Sequence, residues 1–148
     1  MSVNVDAFNT INDVRRVGSD VLAAITQGLS KLATYAANQA RETTSFEDRT
    51  GKLRGSIRRG EKSKWAFFVK AGGRPAPYAQ WIEAGAKPHE IKARRRKFLR
   101  FEVGGVVQFR KRVFHPGNKP RRFMESARND AEAAALRFIE PEINAAMR

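Results

Sequence analysis

From Asp13 to Arg41 apolar residues recur at steps of three and four: Val14, Val17, Val21, Leu22, Ile25, Leu29, Leu32, Ala33, Ala36 and Ala40. That period gathers them on one face of a long helix. Alanines at 33, 36, 37 and 40 keep the face thin, so a neighbour can approach closely. Gly18 and Gly28 each weaken a helix by about 1 kcal/mol relative to alanine, and one of them is expected to mark a bend or a close contact. The helix reads as a core element packed on a sheet, or as an element used between subunits. Before it, residues 1–12 are polar with scattered apolar positions (Val3, Val5, Phe8, Ile11), an N-terminal arm or a lead-in to the helix.

A polar connector over 43–51 ends the helical period. Leu53, Gly55 and Ile57 then alternate with Arg54, Ser56 and Arg58, the period of a half-buried strand. Gly60 to Ser63 reads as a turn and Trp65 to Lys70 as a second strand, so a hairpin joins them. From Ala76 to His89 the chain is bounded by Pro75 and Pro77 on one side and by Gly85 and Pro88 on the other. Between those stops there is room for about two helical turns. Tyr78, Trp81 and Ile82 fall at i, i+3 and i+4 there, an aromatic face expected to dock on something larger. Lys97–Val103 and Val106–Phe114 read as strands joined by a Gly104-Gly105 turn. The short helix would lock the sheet to this second hairpin at a fixed angle. Residues 115–122 form a rigid loop with two prolines, and the helical period returns at Phe123, Ala127, Ala131, Ala134, Ala135, Phe138 and Ile139. Pro141 is expected to interrupt that helix before a last turn from Glu142 to Met147.

These elements predict a single α+β domain over 1–148. A long N-terminal helix and a C-terminal helix pack on a small, mainly antiparallel sheet, with a short helix and an extended basic hairpin over 90–114. At 148 residues the chain is long enough to bury a core. It has no cysteine, which excludes disulfides and thiolate metal sites. No apolar run approaches a membrane span and the N-terminus lacks a secretion signal, so a soluble protein made in a cytoplasm is expected.

Charge changes the picture most. The net charge is +14, but residues 51–122 alone carry 21 basic and 4 acidic side chains, a net +17 between near-neutral ends. Such a field favours an acidic partner, nucleic acid or protein. Lys92, Arg94, Arg95, Arg96, Lys97, Arg100, Arg110, Lys111 and Arg112 lie on the arms of the expected hairpin, interleaved with Phe98, Phe101 and Phe109. Three uses fit this ribbon. It holds phosphates and stacks bases, or it is a solvated face with its phenylalanines turned inward, or it docks on an acidic neighbouring subunit.

Candidates for bond-making chemistry are few. His89 and His115 sit beside prolines in basic loops, without the further ligands of a metal site or the oriented partner of an acid–base pair. Ser56 and Tyr78 have no activating base placed by spacing. Thr50-Gly-Lys lacks the upstream glycine of a phosphate-binding loop. No catalytic, cofactor-binding or metal-binding residue is assigned.

Three segments in order carry a resemblance: Thr50-Gly-Lys-Leu-Arg-Gly-Ser-Ile57, Pro77-Tyr-Ala-Gln-Trp-Ile-Glu-Ala-Gly85 with Lys87-Pro-His89, and His115-Pro-Gly-Asn-Lys-Pro-Arg-Arg-Phe123. Together they resemble the small tail-component, or head–tail joining, proteins of long-tailed bacteriophages. The resemblance covers residues 50–140, and the alanine-rich first helix fits it. Its signature positions here are Thr50, Gly51, Leu53, Ser56, Tyr78, Trp81, Ile82, Glu83, Gly85, His115, Pro116, Gly117 and Pro120. The chain departs from the family pattern at three places. Arg49 stands where an acid is usual, with Asp48 one place earlier; Ala86 replaces a threonine or serine, and Arg122 a second proline.

The resemblance implies no enzyme activity and no cofactor. It implies a virion protein that forms a ring, a cyclic homo-oligomer expected to be a hexamer, at the neck or the head-proximal tail end. Its neighbours would be head-closure or connector proteins and tail-tube or tail-terminator proteins, with a transient contact to genomic DNA and none to a membrane. The residues alone leave two alternatives open, a nucleic-acid-binding protein that uses the basic hairpin and a small ribonuclease toxin.

Overall fold

The computed structural model describes residues 7–94 and 97–148. A long helix, α1 (Ala7–Glu42), is followed by a one-turn helix α2 (Lys52–Ser56) and a hairpin of β1 (Arg58–Ser63) and β2 (Ala66–Lys70). Then come the short helix α3 (Ala79–Ala84), β3 (His89–Lys92), β4 (Leu99–Val103), β5 (Val106–Arg110), β6 (Arg112–His115) and the closing helix α4 (Phe123–Ala146). The class is α+β. The strands form three separate two-stranded antiparallel ladders, β1–β2, β3–β6 and β4–β5, rather than one sheet.

The main packing is helix on helix. Gly28 of α1 meets Ile139 and Phe138 of α4, Tyr35 lies 5.2 Å from Phe138 between ring centroids, and Ala40 joins Phe123 and Ala127 in the core. Rising numbers on α1 meet falling numbers on α4, so the two run antiparallel. Small residues make this possible. A Cβ at Gly28 would stand 2.9 Å from the Ile139 Cα and the Phe138 carbonyl oxygen, so glycine here marks a close contact rather than a bend. The α4 helix also continues through Pro141, against the expected break. The proline removes only the bond from its own nitrogen, and Glu142, one residue on, is tied to Lys31 of α1 by an ion pair.

Past its end, α1 is stapled to α2. The Arg54 guanidinium donates to the Arg41 carbonyl and to the carbonyls of Thr43 (2.8 Å) and Phe46 (3.3 Å), and lies 4.8 Å over the Phe46 ring. These carbonyls follow the last helical bonds and would otherwise lack partners. Arg41 returns the contact by donating to the Ile57 carbonyl at 2.6 Å. The Asp48 carboxylate accepts from the Arg54 backbone N–H at 2.7 Å, so the acid displaced by one place still caps the turn.

The strand expected from Leu53 is therefore helix α2, and the strand begins only at Arg58. Leu53 and Ile57 are four apart, a spacing that suits either period, and Ser56 turns inward with them on the helical one. Gly60–Ser63 belongs to β1, and the reversal falls on Lys64-Trp65 instead. Of the expected N-terminal arm, residues 7–12 are helical and 1–6 lie outside the described residues.

The core around this joint is small: Ala40, Phe46, Leu53, Ile57, Ala76, Ala79, Phe123 and Ala127. Among the described residues, seven of the eleven buried apolar ones are alanines, while Val14, Leu22, Val106, Phe109 and Leu136 are among the large side chains left in water.

The Gly28 contact gives a paired test. Gly28→Ala should lower the urea midpoint despite its gain in helix propensity, because α1 and α4 must move apart. Gly18→Ala, with nothing within 4 Å of its new Cβ, should leave the midpoint unchanged or raise it.

Candidate functional site

The second and third signature segments meet in a hydrogen-bonded joint, and the first meets them in the apolar core. Ala86 and Asn118 exchange backbone bonds at 3.0 and 2.9 Å, and Asn118 Nδ2 donates to the Trp81 carbonyl at 2.7 Å. The backbone N–H groups of Arg121 and Arg122 donate to the carbonyls of Ile82 (2.8 Å) and Glu83 (3.2 Å). The 115–122 loop thus satisfies the open C-terminal carbonyls of α3. Gly117 allows the approach, because a Cβ there would stand 2.1 Å from the Ala86 carbonyl oxygen.

Glu83 completes the joint. Its carboxylate accepts from the backbone N–H groups of Met124 (2.9 Å) and Glu125 (3.0 Å), at the first turn of α4. The residue before α4, Arg122, provides no side-chain cap of its own. A carboxylate from another element therefore takes the place of an N-cap, favoured further by the helix dipole. Arg122 has φ of 47°, a left-handed value closed to proline, which explains why the second proline of the family pattern is missing here.

The first segment closes the joint from below. Leu53 and Ile57 are buried in the core, and Ser56 Oγ, also buried, donates to the Leu53 carbonyl (2.6 Å) and accepts from the Gly72 N–H (2.8 Å). Thr50 and Gly51 form the turn into α2, with Gly51 at φ of 67°. Pro116 and Pro120 flank the bridge residue Asn118.

The aromatic face of α3 is not a core face. Trp81 is 49% and Tyr78 37% exposed. The buried side is Ala79, with Ile82 partly buried beside it. Ala79 Cβ lies 3.0 Å from where a Cβ on Gly72 would be, a gap too tight for an indole. Helical spacing puts Tyr78 and Trp81 together on one face, but the small residues turn that face outward.

The basic hairpin is two ladders end to end. At its base, β3 pairs with β6 from His89↔His115 to Lys92↔Arg112. At its tip, β4 pairs with β5 from Leu99↔Arg110 to Val103↔Val106, with Gly104-Gly105 in the turn. Between the ladders the chain has residues 93–98 on one side and Lys111 alone on the other, with the Ala93 N–H bonded to the Lys111 carbonyl. Arg94 and Lys97 lie in this expanded segment, while Arg95 and Arg96 lie outside the described residues. Glu90 pairs with Lys92 (3.2 Å) and Arg112 (3.6 Å). Lys97, Arg100, Arg110 and Lys111 are exposed and form no ion pair among the described residues. Phe98 (46%) and Phe109 (56%) stand in water beside them rather than turning into a core.

His89 and His115 stack across the base of the ribbon with ring centroids 5.2 Å apart. His115 Nδ1 accepts from the Gly117 N–H at 3.0 Å, and His89 Nδ1 donates to the Lys87 carbonyl at 2.8 Å. Both rings are thus held at Nδ1 by the loops that frame the ribbon. Among the described residues no group of three or more histidines or acids could hold a metal ion, and no helix is long and apolar enough to cross a membrane.

Neither a protein-family model, nor a curated protein, nor a solved structure matches the chain.

Glu83 holds this joint and Arg54 ties α1 to α2, and sequence pattern alone assigned neither to that work. Arg54 read as an outward strand residue. Its signal was the Asp48 six places upstream, an acid placed to cap a turn. Glu83 read as one acid of a short motif, because nothing in its own neighbourhood points to Met124. Glu83→Ala should cost about 1–2 kcal/mol in urea unfolding, the usual loss for a helix cap. Trp81→Ala should cost less than about 1 kcal/mol, as for a surface position.

Proposed function

We propose that the protein is a structural subunit that assembles with copies of itself into a ring at the neck or head-proximal tail end of a bacteriophage, joining tail to head. The observation that carries this reading is the joint itself. The three segments through which the chain resembles the head–tail joining proteins lie far apart in sequence, yet the second and third interlock through the Ala86–Asn118 bridge and the Glu83 cap, and Leu53 and Ile57 of the first share the apolar core with Ala79 and Phe123. A signature that is one physical unit is what a shared scaffold would retain.

The distribution of apolar residues supports a subunit rather than a lone protein. Val14, Val17 and Leu22 on the first half of α1, Leu136 on α4, and Val103, Val106 and Phe109 on the ribbon tip are all exposed. Surfaces of this kind are covered when copies associate. In the proposed assembly the ring has six copies, touches head-closure and tail proteins on its two faces, and carries out no bond-making chemistry.

A second reading has its own observation. Phe98 and Phe109 stand exposed beside Arg100 and Arg110, an arrangement that can stack bases and hold phosphates. Light scattering on the purified chain separates the two. The ring reading expects a discrete multiple of 16.7 kDa, six-fold at saturation. A monomer at all concentrations that binds DNA, with log affinity falling steeply in log salt at about −0.9 per phosphate neutralised, would establish the second reading instead.

A further inference from the structure

We propose that the β4–β5 hairpin of one copy seats in an open groove between α1, α4 and β2 of a second copy. The inference rests on the ring-forming role proposed above and specifies the surfaces that meet.

The groove has a volume of about 800 Å³ and is walled by Leu29, Leu32 and Ala36 of α1, Phe67 of β2, and Met124 and Ala131 of α4. Its lining is mainly apolar. The hairpin is its converse. The strands β4 and β5 pack on each other and scarcely on any helix, and the β3–β6 ladder that carries them likewise touches the helices slightly at most. The cross-strand register puts Leu99, Phe101, Val103 and Val106 on one face of the ribbon, with Phe109 and Val107 on the other. Val103, Val106 and Phe109 are each more than half exposed. An apolar ribbon held off the body cannot fill its own groove in this structure, but it can fill a neighbour's.

Charge specifies the occupant further. Glu83, Glu125, Glu132 and Arg128 line the groove, and Arg122 pairs with Glu125 at its edge, a net −1 on a chain of net +14. Residues 99–110 carry Arg100 and Arg110 against Glu102, a net +1. Two copies repel over most of their surfaces, and the acidic groove is where a basic ribbon is drawn in. The tip has no obstructing side chain, since Gly104-Gly105 make the turn. A ribbon-into-groove contact uses two different patches, so it repeats from copy to copy and closes when the rotation allows.

The test uses the full chain with a photo-cross-linking benzoylphenylalanine in place of the exposed Val106, mixed with an equal amount of isotope-labelled unmodified chain. Irradiation and peptide mapping should join residue 106 to labelled peptides from 29–36, 65–69 or 124–132. Cross-links to labelled peptides elsewhere would overturn the proposal and leave the ring reading standing. Cross-links confined to the modified chain's own groove would also overturn it. A monomeric mass with no intermolecular cross-link would overturn both.

Discussion

The carboxylate of Glu83 governs how the helical body and the ribbon are joined. It sits at the end of α3 and accepts the first free N–H groups of α4, a helix that has no cap of its own. One side chain thereby couples three things. The α4 helix packs along α1, α3 seals the core through Ala79, and the 115–122 loop bonds to the α3 carbonyls. The same loop and the segment after α3 are the two roots of the ribbon, since β3 begins three residues past Ala86 and β6 ends three before Asn118. The direction in which the ribbon leaves the body is therefore set where α3 meets α4. From sequence the 76–89 segment is expected to lock the sheet to the hairpin; in the structure the segment ties the roots of the ribbon to α4 instead, through an acid and a backbone bridge rather than through the aromatics.

A core of alanines, two phenylalanines, a leucine and an isoleucine is thin for a chain of this length. Small residues let α1 and α4 lie close, as at Gly28 and Ile139, but they remove little apolar area from water per residue. Many of the larger side chains, Leu22, Phe109 and Leu136 among them, are on the outside. For such a chain, association in the proposed ring would add stability by mass action, so that folding strength and copy number are linked.

Helix α1, the short helix, the tip hairpin and α4 were legible because each has either a long period or an unambiguous turn. The α2 turn was not, since Leu53 and Ile57 satisfy both the two-residue and the four-residue step and only the Asp48 cap decides between them. The β3 strand was hidden because all four of its residues are exposed, so it has no alternation to read; its partner β6 makes it a strand. Trp81 misled for a related reason. Spacing shows which residues share a face, but which way that face points depends on the alanine and glycine contacts across from it. Long-range polar contacts such as Glu83 to Met124 leave no local pattern at all.

The two functional readings compete for the same residues. Phe109, Arg100 and Arg110 on the ribbon tip would stack and pair with nucleic acid in one, and enter an acidic, apolar groove in the other. A ribbon seated in a neighbour has its tip removed from water, so the two uses exclude each other at the tip. The expanded segment nearer the base is different. Arg94 and Lys97 lie there, on the body side of β4, and stay outside the proposed contact. In the proposed assembly this arrangement would divide the ribbon's charge into tip charges engaged by neighbouring subunits and base charges outside that contact. That division reconciles a protein docking arm with a basic surface, since each use takes a different length of the same ribbon.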